Sequence, residues 1–148
     1  MPNFKQAGLS IIFILVVHVV AIVLGWYDAM EWFDIPMHFA GGFAIAMLAL
    51  ASCQASLQKI TFQKTLKPIW RGLVPLVGVL GTVALVGVAW EWYEFIFDSL
   101  MVRFNVGDYQ AQMGLGDTLA DLALDLVGAW LAFTIFCNRY AHRPWSAS

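Results

Sequence analysis

Two acidic stretches carry the residues of this chain best suited to chemistry. Trp90-Glu91-Trp92-Tyr93-Glu94-Phe95-Ile96-Phe97-Asp98 sets Glu91, Glu94 and Asp98 at i, i+3 and i+7. Gly116-Asp117-Thr118-Leu119-Ala120-Asp121-Leu122-Ala123-Leu124-Asp125 sets Asp117, Asp121 and Asp125 at i, i+4 and i+8. Residues at these separations share a helix face, so each set forms an acidic stripe. Both stripes lie in, or run into, segments apolar enough to enter a bilayer, where an ionised side chain costs about 2.5–3.5 kcal/mol on insertion scales. Facing stripes of one sign repel, so a cation or a set of protons has to sit between them. Two imidazoles join the acids. His38 follows Asp34 by one turn on the same face and precedes Gly41-Gly42, small residues that admit a neighbouring helix. His18 lies in the first apolar run, about nine residues or roughly 13 Å before its outer end at 1.5 Å per residue.

Three arrangements would satisfy these charges. In the first, carboxylates and imidazoles from facing helices ligate one or two divalent cations, as bundle-core di-metal sites do. Two such ions would offset four carboxylates and turn repulsion into coordination. In the second, the acids share protons along a proton or cation path. In the third they pair with cations of the protein, but Arg103 is the sole Lys or Arg expected on that side. The metal account is the expectation adopted, with ligands drawn from Asp34, His18, His38, Glu91, Glu94, Asp98, Asp117, Asp121 and Asp125, and with Glu94, Asp121 and His38 as the catalytic set. Carboxylate-rich sites suit Mg, Ca or Mn, and admixed imidazole leans toward Mn, Fe or Zn, so the cofactor expected is a divalent ion such as Mg, Mn or Zn. The Glu-x-x-His pair of ferritin-type di-iron sites and the His-Glu-x-x-His zinc signature are both absent.

The elements that must position these groups follow from composition. Of 148 residues, 61% are hydrophobic and only 12% charged, which places the chain among integral membrane proteins rather than soluble domains. Crossing a hydrocarbon core of roughly 30 Å takes about 20 residues of helix. The runs at about 8–27, 33–57, 69–98 and 117–137 are long enough, and they predict an all-α, four-helix transmembrane bundle in one domain. The first run is longer than a signal-peptide h-region, and Gly25-Trp26-Tyr27 is a poor cleavage site. Lys5, Lys59, Lys64, Lys67, Arg71, Arg139 and Arg143 gather on one side after four crossings, which predicts cytoplasmic N- and C-termini and a multi-pass protein of the inner (plasma) membrane. All ten acids fall in the outer loops or outer helix halves, so the site faces outward.

Finer expectations follow along the chain. Asp34 and Asp117 are placed as N-caps of helices two and four, with Pro36 in a tolerant first turn. Trp26, Tyr27, Trp32 and Phe33 are assigned to an interfacial aromatic belt. The basic loop from Gln58 to Arg71 is read as a solvated cytoplasmic hairpin, and the loop from Ser99 to Leu115, with Arg103, Asp108 and Tyr109, as a lid over the outer mouth. Glycines 72, 78, 81 and 87 put helix three in the centre of the bundle. Cys53 and Cys137, lacking further partners, are expected as free thiols that pack. Helical rise alone predicts three levels: His18, Glu91 and Asp125 deepest; His38, Glu94 and Asp121 in the middle; Asp34, Asp98 and Asp117 near the surface.

The stretches Trp90-Glu91-x2-Glu94-x3-Asp98 and Gly116-Asp117-Thr118-x2-Asp121-x3-Asp125-x2-Gly128-Ala129, with Asp34-x3-His38 before them, resemble the YjdF-like small bacterial inner-membrane proteins. The resemblance covers about Asp34 to Ala129; it implies location and fold and supplies no substrate. The residues themselves suggest metal-dependent hydrolysis or group transfer on a lipid or lipid-linked phosphate that enters from the outer leaflet. A small cation or proton transporter and a non-catalytic subunit with a structural metal are the alternatives. Membrane lipids are the expected partners, self-association is left open, and no nucleic acid is expected.

Overall fold

The computed structural model describes residues 2–57, 68–104, 111 and 113–141. Helix α1 spans Phe4–Val23 and starts from a capping box: Asn3 Oδ1 accepts from the Gln6 amide at 2.8 Å, and Gln6 Oε1 accepts from the Asn3 amide at 3.1 Å. It stops earlier than the apolar run suggests, because Gly25 adopts φ 65 and turns the chain into a single helical turn at Trp26–Ala29. A short 3-10 turn at Glu31–Phe33 then leads into α2, Asp34–Leu57. Helix α3 spans Pro68–Phe104 and α4 spans Leu115–Ala141. The third helix outruns its expected end near residue 98, since no glycine or proline interrupts the sequence from Val88 to Phe104.

All four helices are long and apolar enough to cross a membrane, and no strand occurs among the described residues. The basic residues Lys59, Lys64 and Lys67 of the expected hairpin, and Asp108 and Tyr109 of the expected lid, lie outside the described residues. Neither acidic N-cap is found. Asp34 has helical backbone angles, φ −64 and ψ −39, and so belongs to α2 itself. Asp117 is the third residue of α4, where its Oδ2 accepts from the Met113 amide at 3.0 Å.

The centre of the bundle is α2 and not α3. Helix α2 packs against α1, α3 and α4, most extensively against α4. Of its span 44% is buried, against 17% for α1 and for α3 and 28% for α4. Of the four glycines that pointed to α3, Gly72, Gly78 and Gly81 have open space beside them, and Gly87 alone lies at a close contact, with Asp125 and Leu122 of α4. Close approach comes instead from alanines on α2, with Ala44, Ala46, Ala49 and Ala51 all buried. Apolar side chains gain little by leaving lipid for another helix, so small residues that let backbones touch set the contacts. Two points are tightest. A β-carbon on Gly42 would collide with the main chain of Asp125, and one on Gly128 would collide with the Phe39 carbonyl oxygen.

Away from this seam a small apolar core joins Ala46, Ala49 and Leu50 of α2 to Val79 and Val83 of α3 and to Ala129 and Ala132 of α4. Cys137 packs on it as a free thiol. Large apolar side chains such as Val23, Leu85 and Val102 point outward, at 77%, 75% and 82% exposure. Such an outward face suits a hydrocarbon solvent.

Gly42→Ala and Gly128→Ala therefore each destabilise the bundle by about 1–3 kcal/mol or more, since the obstructing atoms are backbone and cannot rotate away. Gly81→Ala, with open space beside it, changes stability by no more than about 0.5 kcal/mol. Unfolding of the three variants in detergent micelles, followed by circular dichroism, measures the difference.

Candidate metal centre

The tight α2–α4 seam delivers acidic side chains to one imidazole. His38, buried at 6% exposure, stands between three aspartates. Its Nε2 lies 3.5 Å from Asp34 Oδ1 and 3.9 Å from Asp121 Oδ1, and its Nδ1 lies 3.6 Å from Asp125 Oδ1. Asp34 is one helical turn before His38, whereas Asp121 and Asp125 come across the seam from α4. Helix α3 closes the third side with Glu91 and Glu94, buried at 5% and 7% exposure.

Two ligand-sized groupings result. One atom each from Asp34, His38 and Asp121 lie within 4.8 Å of one another, and so do atoms of His38, Glu91 and Glu94. Ligands about 2.1 Å from a common ion stand at most about 4.2 Å apart, so small side-chain rotations bring either group to coordination distance. Both groups share His38, whose position decides where an ion could sit. Trp90, one turn before Glu94, donates its indole N–H to Glu94 Oε1 at 2.8 Å and orients that carboxylate.

Asp125 is held at a junction of three helices. Its carboxylate lies so close to α3 that a β-carbon on Gly87 would come within 2.6 Å of Oδ2, while one on Gly41 would stand 3.9 Å from Oδ1. The aspartate on Nδ1 and the two aspartates on Nε2 reproduce the order carboxylate, imidazole, ion, in which an outer acid fixes the ring and an inner set binds. Asp125 is thus placed to orient His38, and Asp34 and Asp121 to share its outward nitrogen.

Of the nine residues expected as ligands, the structure brings together Asp34, His38, Glu91, Glu94, Asp121 and Asp125. The other three lie outside both groupings. Asp98 Oδ1 accepts from the Ala111 amide at 2.8 Å and Asp117 Oδ2 from the Met113 amide, so both tie loop backbone to the helix ends. His18 forms a separate station: its Nδ1 is 2.7 Å from the Tyr27 hydroxyl, and its ring stands edge-on to Tyr27 and Trp90 with centroids 5.6 and 5.0 Å away. Its Nε2 is buried and makes no hydrogen bond. His38, assigned to the middle level, has Asp121 of its own level and Asp34 and Asp125 of the levels above and below all within 4 Å.

Sequence reasoning missed Trp90 and Tyr27. The Trp90 contact was legible as an i, i+4 pair with Glu94, whereas Tyr27 returns to His18 only because the chain reverses at Gly25. Tyr27 and Phe33 also pack edge-on, 5.3 Å between centroids, so the aromatic belt is partly interior.

Beside the cluster lies a cavity of about 120 Å³. Asp34, His38, Glu94, Asp125, His18 and Tyr27 line its polar end, and Ile11, Ile14, Ala44, Ile45 and Val86 line the rest.

Four apolar helices around a buried acid and imidazole cluster define a multi-pass α-helical membrane protein with its polar chemistry gathered at one end of the bundle. The chain belongs to the family described as Predicted membrane protein (DUF2238), whose model matches residues 4–143. This agrees with the resemblance to the YjdF-like membrane proteins. It is also similar to an uncharacterized protein of Thermotoga maritima, 32% identical over 107 residues that cover 72% of this chain and 48% of the relative. The aligned stretch thus spans about half the length of that relative. No solved structure matches.

A double-mutant cycle checks the His18 station. Tyr27→Phe and His18→Leu should show a coupling of about 0.5–1.5 kcal/mol in unfolding experiments, the net worth of one hydrogen bond. Independent, additive effects would mean the two side chains do not interact.

Proposed function

We propose that this protein holds a divalent cation between α2, α3 and α4 and uses it as a hydrolase or transferase on a lipid or lipid-linked phosphate at the outer face of the inner membrane. The observation that carries the reading is the convergence on His38 of carboxylates from three helices, each nearly or partly buried. Buried acids of one sign need a positive partner, and two ligand groupings sharing one imidazole suit a Mg, Mn or Zn ion. His38, Glu91, Glu94, Asp34 and Asp121 are the ligand set of this reading. Asp125 holds the His38 ring, and Asp98 and Asp117 anchor loops.

The cation, when bound, would polarise a phosphoryl oxygen and acidify bound water. Glu94, fixed by Trp90, and Asp121 are the groups placed to accept a proton from that water, while His38, with Nδ1 on Asp125 and Nε2 toward the ion, acts as a ligand. Arg103 is exposed at the last turn of α3, so the ion carries most of the phosphate recognition. The distribution of basic residues favours cytoplasmic termini, and hence an outward-facing site.

The apolar core favours an enzyme over a conduit. Ala46, Ala49 and Leu50 lie 8–12 residues beyond His38 on α2, about 12–18 Å deeper at 1.5 Å per residue, and join Val79 and Ala132 in a cluster at whose depth no polar side chain is fully buried among the described residues. A transport path would need polar groups at that depth.

Manganese titration of the purified, metal-stripped protein, followed by electron paramagnetic resonance, tests the reading. Wild type should bind Mn²⁺. His38→Ala and Asp121→Asn should lower the affinity strongly, and Asp125→Asn by about 10–100-fold through loss of ring orientation. Asp98→Asn and Asp117→Asn should leave it nearly unchanged. Turnover of lipid phosphates should disappear in Glu94→Gln and Asp121→Asn. A wild-type protein that binds no divalent ion ends the proposal, and metal-independent proton flux in liposomes would replace it with transport.

A further inference from the structure

The cavity beside His38 runs away from the cluster along three helices at once. From His18 to Ile11 on α1, from His38 to Ile45 on α2, and from Trp90 to Val83 on α3 the chain covers seven residues, about 10 Å at 1.5 Å per residue. Over that length the walls change from acid and imidazole to branched aliphatic side chains. The helices that flank it, α1 and α3, are the least buried of the four. Helix α1 packs chiefly on α2 and has little contact with α3, so no tight helix contact closes the side between them. At about 120 Å³ the cavity is comparable to apolar cavities of roughly 150 Å³ that admit a benzene-sized guest, which leaves room for one slender chain.

The polar end has a vacancy in its hydrogen bonding. His18 is buried at 9% exposure, its Nδ1 is engaged by the Tyr27 hydroxyl, and its Nε2 lacks any hydrogen bond. A buried polar nitrogen left without a partner is costly, and a ligand oxygen would recover that cost. When the Tyr27 hydroxyl donates to Nδ1, the proton of the neutral ring is on Nε2, in a residue that lines the polar end of the cavity. The second imidazole therefore keeps an unengaged ring nitrogen at the polar end of the cavity and lies outside the two groupings that share His38.

We propose that this cavity seats one chain of a phosphate-headed lipid drawn from the bilayer, with His18 Nε2 donating to the head beside the cation site. His18 is then a substrate-positioning residue and not a metal ligand. The occupant is amphiphilic because one wall is polar and the other aliphatic, and it comes from the membrane because the flanking helices face lipid. Its head is anionic because Nε2 donates and because the reading of a bound cation, on which this inference rests, gives that end a positive centre.

Photo-crosslinking tests it on the full chain, loaded with Mn²⁺ in nanodiscs. The probes are phosphatidate, a polyprenyl phosphate, diacylglycerol and a long-chain amine, each with a diazirine on its chain. Both phosphate lipids should label α1 near Ile11–Leu15 and α3 near Val83–Val86, and the neutral lipid and the amine should label there at least about tenfold less. Labelling by only one of the two phosphates identifies the source and supports the proposal. His18→Leu should reduce phosphate-lipid capture by about tenfold or more, the worth of a hydrogen bond to a charged group. His18→Gln, which keeps an amide N–H near the Nε2 position, should restore part of it. Ile14→Trp and Val86→Trp, which fill the aliphatic end, should abolish capture. In all four variants Mn²⁺ affinity should stay within about twofold, which also reports that the fold is intact. Normal Mn²⁺ binding with equal capture of the neutral lipid or the amine overturns the proposal. So does a loss of Mn²⁺ affinity in both His18 variants, which would make His18 a ligand. Absence of Mn²⁺ binding in wild type instead removes the cation reading beneath it.

Discussion

The backbone contact between α2 and α4 is the constraint on which the rest of the molecule depends. Gly42 meets the main chain of Asp125, and Gly128 meets the carbonyl of Phe39, so the two helices touch with nothing but hydrogen on their α-carbons between them. At that separation Asp121 and Asp125 come within 4 Å of the His38 ring, which side chains as short as aspartate reach only from a very near helix. Were α4 to stand farther off, the aspartates would lose the imidazole and the acidic face would be left to hydrocarbon. In lipid, where burial of apolar area gives little drive, small residues supply the close packing that makes such a site possible.

That geometry creates an electrostatic problem and indicates its resolution. Six ionisable groups from three helices meet in a space from which water is largely withdrawn, and five of them are acids. The desolvation of a charge in such a place is several kcal/mol, and repulsion among like charges adds to it. The single imidazole offsets only part of the excess. The arrangement of Asp125 on one ring nitrogen and Asp34 with Asp121 on the other gives the ring a direction, with its outward nitrogen toward the shared space. Trp90 gives Glu94 a direction too. Orientation of this kind limits the rotations open to the acids, which a cation between them would use.

The bundle is asymmetric along its length. One end holds the acids, the imidazoles and the cavity; the other is closed by alanines, leucine and valines. The flanking helices α1 and α3 are the least buried of the four, and the cavity they help to line reaches the polar cluster.

Much of this was legible from the residues alone. Length, 61% hydrophobic content and four apolar runs determined the helical membrane fold, because a bilayer admits few other ways to satisfy backbone polar groups. The i, i+3 and i, i+4 spacing of the acids determined which carboxylates share a face, because helical period is a local property. Partners across helices were another matter. That α2 rather than α3 is central, that Asp98 and Asp117 hold loops, and that His18 pairs with Tyr27 instead of the acids were decided by tertiary structure. Each depends on which small residues meet in space and where Gly25 turns the chain. Spacing reports rotation about a single helix axis, whereas the distance and register between two axes are settled only when their surfaces interlock.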